Sequence, residues 1–427
     1  MRYYIIAGEA SGDLHGSNLM KGLYEKDPEA TIRFWGGDLM NGVYASHTGG
    51  ASLSYEAPVD SLLSTETPGD SIKAPLPSNS TTEAPQSTAP LSSGLVHHYK
   101  EGAVMGFVEV LAKAGKLLRN LRDCKRDILA FGPDCVILID YPGFNFRIAE
   151  FAHKKGLKVF YYIAPKVWAS REGRIRKLKN YVDRLYIVFP FEIPYFEKKG
   201  VPFIYKGNPL VDAVDSSRAM RESRQNFLSR CGLEDKPIVA FLAGSRKSEV
   251  STMMPPLAET ARRLHALPQY ADYQFIVAGA PSRSPEDYLP YIQGQPYVKV
   301  IFGETQSIVR NAEAAIVNSG TASLETVLLG TPQVVGFIMG SSLTYAIAKL
   351  IVKVKYISLG NLCVGRYVFK EFIQGDCNPA ALTEEVRSLI EDREYRKKML
   401  EGYAEIRALL GGSGASQAVA ADIVSAL

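Results

Sequence analysis

Short apolar runs recur along this chain, each closed by glycine or hydroxyl residues and followed by a helical pattern. Tyr3-Tyr-Ile-Ile-Ala7 runs into Gly8-Glu-Ala-Ser-Gly-Asp13, after which Leu14, Leu19 and Leu23 fall at helical spacing. Thr31-Ile-Arg-Phe-Trp35 ends at Gly36-Gly37, Asp134-Cys-Val-Ile-Leu-Ile139 ends at Asp140-Tyr-Pro-Gly143, and further runs lie at 158–163, 184–188 and 203–205. A second series occupies 238–243, 273–278, 298–302, 314–317 and 333–337. Unbroken apolar runs alternating with helices predict parallel strands buried on both faces. The expected fold class is α/β, with two doubly wound, Rossmann-like lobes facing a cleft. From Thr344 on only helices are expected.

Two stretches break the pattern. From about 47 to 95 the chain is rich in Ser, Thr, Pro and Gly. It holds too little apolar surface to offset the entropy of ordering, so a disordered insertion is expected. Residues 208–235 are polar and carry no strand. The expected organisation is an N-terminal lobe over 1–207, a linker over 208–235 and a C-terminal lobe with terminal helices over 236–427.

Composition narrows the class. At 427 residues the chain suggests more than one domain. A net charge of +4 gives no reason to expect a nucleic-acid partner. Five cysteines without CxxC spacing fit a reducing compartment and argue against a disulfide frame or zinc site. No HExxH or DxD pattern occurs, no signal peptide is read at the N-terminus, and no run reaches the roughly 20 apolar residues of a spanning helix. A cytoplasmic protein is expected.

The candidate chemistry sits where strands end. Ala314-Ala-Ile-Val317 stops at Asn318-Ser-Gly-Thr321, and Ala322, Leu324, Val327 and Leu328 then continue as a helix until Gly330-Thr-Pro332. Strand, hydroxyl-rich turn and helix N-terminus make an anion site, because the first helical N–H groups lack partners and the dipole favours negative charge. Ser319, Gly320, Thr321 and Ser323 line it. The run 238–243 ends in Gly244-Ser245-Arg246, which could aim Arg246 at the same spot. The bland alternative is two capped turns without a ligand. Glu325 lies about one turn, roughly 6 Å, into the helix, suited to a ribose. Glu9 and Asp13 put carboxylates in the first turn, where a pyrophosphate would be repelled. Phosphates therefore belong to the C-terminal lobe. Asp140, just past a buried strand, is either a turn carboxylate or a base, and His15 is a further candidate base. The basic stretch Arg171–Lys179 and the apolar segment Val104–Leu111 read as a solvated helix face and as core, or as groups facing an anionic bilayer.

These motifs, in this order, resemble the lipid-A-disaccharide synthase family, glycosyltransferase family 19. The matching residues are Gly8-Glu-Ala-Ser-Gly-Asp13, Val104–Leu111, Asp140-Tyr-Pro-Gly-Phe-Asn145, Pro165-Lys-Val-Trp168, Gly244-Ser-Arg246 with Glu249-Val250, Ser319–Glu325, and Ser358-Leu-Gly-Asn-Leu362 before Gly365-Arg366. The resemblance implies the two-lobed GT-B fold and an inverting, metal-independent transfer without cofactor. UDP-2,3-diacylglucosamine would donate its sugar to 2,3-diacylglucosamine 1-phosphate, giving a β-1,6-linked disaccharide 1-phosphate and UDP. It implies catalytic roles for Asp140 and Arg246, and UDP contacts at Ser319–Thr321, Glu325 and Asn361, with Gln374 nearby. Glu9 is the second candidate base. It also implies a peripheral place on the cytoplasmic face of the inner membrane. Three departures stand out: the insertion at 47–95, Ser170 in place of a second Trp, and Gly360 where Pro is common, which predicts a more mobile loop around Asn361. A UDP-GlcNAc 2-epimerase-like enzyme and a non-catalytic membrane-surface binding protein are the rival readings. The helical C-terminus either returns to the N-terminal lobe or swaps into a partner to form a homodimer.

Overall fold

The computed structural model describes residues 1–49, 94–99, 109–169, 172–340 and 355–427. The insertion beyond Gly49, the apolar residues 104–108, and Ser170 and Arg171 lie outside these.

Two parallel sheets form the frame. The first orders its seven strands β3-β2-β1-β4-β5-β6-β7, with β1 Arg2–Ala7, β2 Thr31–Gly36, β3 Gly94–His98, β4 Cys135–Ile139, β5 Lys158–Tyr162, β6 Arg184–Ile187 and β7 Ile204–Tyr205. The second orders its six β10-β9-β8-β11-β12-β13, with β8 Ile238–Leu242, β9 Gln274–Gly279, β10 Val298–Phe302, β11 Ala314–Asn318, β12 Gln333–Phe337 and β13 Glu371–Ile373. Each sheet reverses its winding at one place, between β1 and β4 and between β8 and β11. Ligands of open α/β sheets lie outside the carboxyl ends of the strands at such places. The four strands there are apolar apart from Arg2 at the start of β1 and Asn318 at the end of β11, because both their faces are covered; β4 and β8 are buried along their whole length.

Helices fill the layers: α1 Ala10–Lys26, α2 Asp38–Thr48, α3 Glu109–Phe131, α4 Pro142–Lys154, α5 Ile175–Tyr181, α6 Glu192–Lys199, α7 Pro209–Asp215, α8 Arg218–Arg221, α9 Arg224–Cys231, α10 Lys247–His265, α11 Thr305–Arg310 and α12 Thr321–Leu329. Beyond residue 355 come α13 Leu359–Val364, α14 Pro379–Glu391, α15 Arg393–Leu410 and α16 Ala415–Ser425. Helix α5 carries most of the basic stretch. It buries Ile175 and Leu178, and Lys177 lies 3.7 Å from Glu150 of α4.

Sequence expectation and structure differ at two strands. The region after Thr344 is not helical throughout, because β13 adds an edge to the second sheet, pairing Val335–Phe337 with Glu371–Ile373. A three-residue strand is too short to show alternation. At the other end β3 uses Gly94 and Leu95, which the composition had assigned to the insertion, and α2 uses His47 and Thr48. The polar bias of the intervening stretch masked both boundaries.

The C-terminal helix returns to the first lobe of its own chain. Asp212 of α7 accepts from Gly414 N and Ser416 N at the start of α16. Asp422 accepts from Arg184 and from Tyr186 OH at 2.8 Å. Chain segments cross between the lobes side by side, where Asn208 N donates to Leu410 O at 3.1 Å. One continuous apolar core therefore runs from Tyr3 and Ile5 through Leu19, Val211 and Ala420 to Leu242 and Ile316.

Candidate active site

In each sheet the two turns at the winding reversal are held together through a glycine. A methyl group on Gly8 would lie 2.3 Å from the Tyr141 ring, so the turn after β1 sits directly on the turn after β4. Gly244 has φ +107, and a Cβ there would meet Asn318 Nδ2 and Glu249 at 2.6 Å, so the turns after β8 and β11 meet in the same way.

Asp140 and Tyr141 both adopt left-handed backbone, with φ 42 and 44. For non-glycine residues this costs of order 1–3 kcal/mol each and persists only where the surroundings enforce it. Asn145 enforces it here: its Nδ2 donates to Ile139 O at 3.2 Å and Asp140 O at 2.8 Å. Tyr161 OH adds a bond to Asp140 O at 2.6 Å. The kink turns the chain out of the carboxyl end of β4, the central strand of its sheet. Burial holds the Asp140 carboxyl above its ordinary range; Lys166 opposes the rise and the charge of Glu9 adds to it. An acceptor kept partly short of water, with a raised pKa, is the state a general base needs.

Across from it, Arg246 caps α10. Glu249 closes the cap, accepting Ser245 N at 2.9 Å and Arg246 N at 3.1 Å on Oε2, and Arg246 Nη1 at 2.9 Å on Oε1. The loop amides at Ser245 and Arg246 are thus spent on Glu249. The guanidinium itself remains largely exposed. Arg246 Nη2 also reaches to 3.8 Å from Glu9 Oε2, so the two reversal points face each other.

The anion turn forms as the pattern predicts, with Gly320 capping α12. Its hydroxyls divide. Ser319 Oγ donates to Ile357 O at 3.0 Å, and Ser323 Oγ, fully buried, donates to Gly320 O at 2.8 Å. Both brace the turn. Ser323 N also donates to Gly320 O, at 3.2 Å, and Thr321 is partly buried at the first position of α12. Glu325 is raised by burial, against a hydrogen bond from Gln306. Asn361 is wholly buried: it donates to Phe369 O at 3.0 Å and Glu371 Oε1 at 2.8 Å, and accepts Val368 N at 2.8 Å. Glu371 in turn accepts Ile357 N and Ser358 N. Asn361 thus reaches the Ser319 turn through Glu371 and Ile357. Gly360 lies in α13, where a methyl group would come within 3.0 Å of the Phe369 ring, so the expected loop around Asn361 is a packed helix. Gln374 accepts Met339 N at 2.6 Å after β12.

Two other groups change meaning. Asp13 is buried and accepts Gly37 N, Leu39 N and Met40 N, capping α2 rather than facing a ligand. Of the two carboxylates of the first turn, Glu9 alone looks into the cleft. His15 is buried on α1 and pushed down to about 4 by that burial, against the attraction of Asp212. Sequence reading passed over Glu192. It is buried, accepts Trp168 Nε1, Val188 N and Phe189 N, and burial pushes it up to about 7 against those donors. It ties the Pro165–Trp168 turn to β6.

Two doubly wound lobes with opposed reversal points, a cation and an anion turn on one and carboxylates on the other, define a GT-B sugar-nucleotide enzyme. A sequence model described as Lipid-A-disaccharide synthetase matches residues 92–422. The chain is 34% identical to lipid-A-disaccharide synthase of Trichlorobacter lovleyi, covering 99% of this chain and 97% of that protein. It is also 34% identical to that of Geobacter metallireducens, covering 100% and 97%. This chain belongs to the lipid-A-disaccharide synthase family and is a glycosyltransferase. In fold it is similar to UDP-GlcNAc 2-epimerase from Neisseria meningitidis bound to UDP-GlcNAc, with TM-score 0.65 over the whole of both chains at 12% identity.

Proposed function

We propose that this enzyme transfers the sugar of UDP-2,3-diacylglucosamine to the 6-hydroxyl of 2,3-diacylglucosamine 1-phosphate, with inversion, giving the β-1,6-linked disaccharide 1-phosphate and UDP. The observation that carries it is that the reversal points bearing Asp140 and Arg246 face each other: Glu9, on the turn packed against that of Asp140, lies 3.8 Å from Arg246. Asp140 takes the acceptor proton, and the alkoxide-like oxygen attacks the anomeric carbon from the face opposite the diphosphate. Arg246 and the α12 N-terminus, with Ser245, Gly320 and Thr321, stabilise the leaving diphosphate. Glu325 receives the ribose. Ser319, Ser323 and Asn361 hold the turn that meets it, and Gln374 holds the backbone after β12 through Met339 N. Glu9 is the second carboxylate on the acceptor side. On this reading residues 1–207 bind the acceptor and 236–427 bind the UDP-sugar.

Both substrates carry acyl chains, so the enzyme works at a bilayer surface, on the cytoplasmic face of the inner membrane. The exposed cations around α5 and the segment 104–111 are the groups assigned to that contact. Among the described residues no helix is long and apolar enough to cross a membrane.

The test is purified protein with both substrates and mass detection of products. Disaccharide 1-phosphate and UDP in equal amounts are expected. Isotope exchange at C2 of a UDP-sugar without acceptor would instead favour an epimerase.

A further inference from the structure

The loops after β1 and β8 meet in the ion pair between Glu9 and Arg246, 3.8 Å apart. The two partners of Arg246 are not equivalent. Glu249 is bound into the α10 cap by two loop amides as well as by the guanidinium. Glu9 occupies the N-cap position of α1, yet its side chain makes no cap hydrogen bond. It is exposed, and among the described residues the charged partner of its carboxylate is the guanidinium. A planar guanidinium can serve Glu249 through one edge and a second anion through the other.

We propose that Glu9 is a positioning residue for Arg246, holding the guanidinium over the cleft in the unliganded enzyme and competing for it with the donor's diphosphate. This rests on Arg246 being the diphosphate ligand. An exposed pair at this distance is worth about 0.2–1 kcal/mol. A diphosphate carries more charge and more acceptor oxygens than one carboxylate, so it displaces Glu9 while leaving Glu249 in its cap. Freed of its cation, Glu9 stands beside Asp140, whose carboxyl already feels its charge behind the larger effect of burial. The loss of Arg246 from that side makes Asp140 a stronger base once the donor is in place. Lys166, whose charge also reaches Asp140, limits the change. The donor thus readies the base for the acceptor.

The experiment is calorimetric titration of the full-length protein with UDP, comparing wild type, Glu9→Gln, Arg246→Ala and the double variant. Wild type binds UDP and Arg246→Ala binds it more weakly. Glu9→Gln is expected to bind UDP about two- to fivefold tighter, although its turnover falls; general damage to the site would weaken binding instead. The gain should vanish in about 1 M salt, where the screening length is about 3 Å, and in the Arg246→Ala background, where there is nothing to compete for. Unchanged or weaker UDP binding by Glu9→Gln overturns the proposal. So does a gain that persists without Arg246, which would be simple repulsion between Glu9 and the diphosphate. Wild-type protein that binds no UDP removes the donor-site reading itself, and the competition with it.

Discussion

At the scale of single residues, Asp140 joins strain to electrostatics. Its left-handed backbone is maintained by Asn145 and Tyr161, and its carboxyl is raised by burial. Replacing it by Asn keeps the shape and removes the proton acceptor. Asp140→Asn should lower turnover by about 10²–10⁴-fold and leave UDP affinity unchanged. The sign of the pH effect follows from the shift. A base must be ionised to act, and burial disfavours the ionised form. Activity is therefore lost as pH falls through a value above the ordinary carboxylate range, and the variant's residual activity should lack that acid limb. Near-normal turnover in the variant would make Asp140 a turn residue. Its position was legible because it ends an apolar run. The strain was not, since Asn145 acts on a backbone angle that no spacing encodes. Glu192 escaped for a similar reason: its three donors come from two separate turns.

At the scale of elements, the strands at the winding reversals were readable because burial on both faces leaves an unbroken apolar signature. The edge strands β3 and β13 lack it. β3 reads Gly-Leu-Val-His-His and β13 only Glu-Phe-Ile, and each is recognisable by its neighbour rather than by itself. Helix α2 depends on a cap supplied from another helix, through three amides accepted by Asp13. Residues 24 or more apart in sequence make that cap, which is why the sequence suggested a ligand-facing carboxylate instead. Asp13→Ala should destabilise the fold by about 1–3 kcal/mol, read from urea unfolding, with UDP affinity retained. Loss of UDP binding without loss of stability would return Asp13 to the site.

At the scale of the whole molecule, the two lobes share one core because α7 packs against both α1 and α12. Helix α16 covers α1, and Tyr162 OH lies 3.4 Å from Ser416 Oγ beneath it. Removing residues 412–427 should therefore injure the far end of the chain. The expected result is a lower melting temperature and new protease cleavage within residues 10–48, while 238–337 stay protected. Cleavage confined to the second sheet would show that α16 supports its own lobe instead. Neither the sharing nor its direction was legible in the sequence, because the apolar face of α16 fits either destination equally well.

The return of α16 also separates the order of synthesis from the order of assembly. Domains usually fold as they leave the ribosome, first-made first. Here the seven-stranded sheet is translated early, yet the cover for α1 arrives only after the whole second sheet has been made. In the terms of nested architecture, the later lobe is a guest inserted into its host. The nascent host must wait with an uncovered apolar flank until its guest is complete.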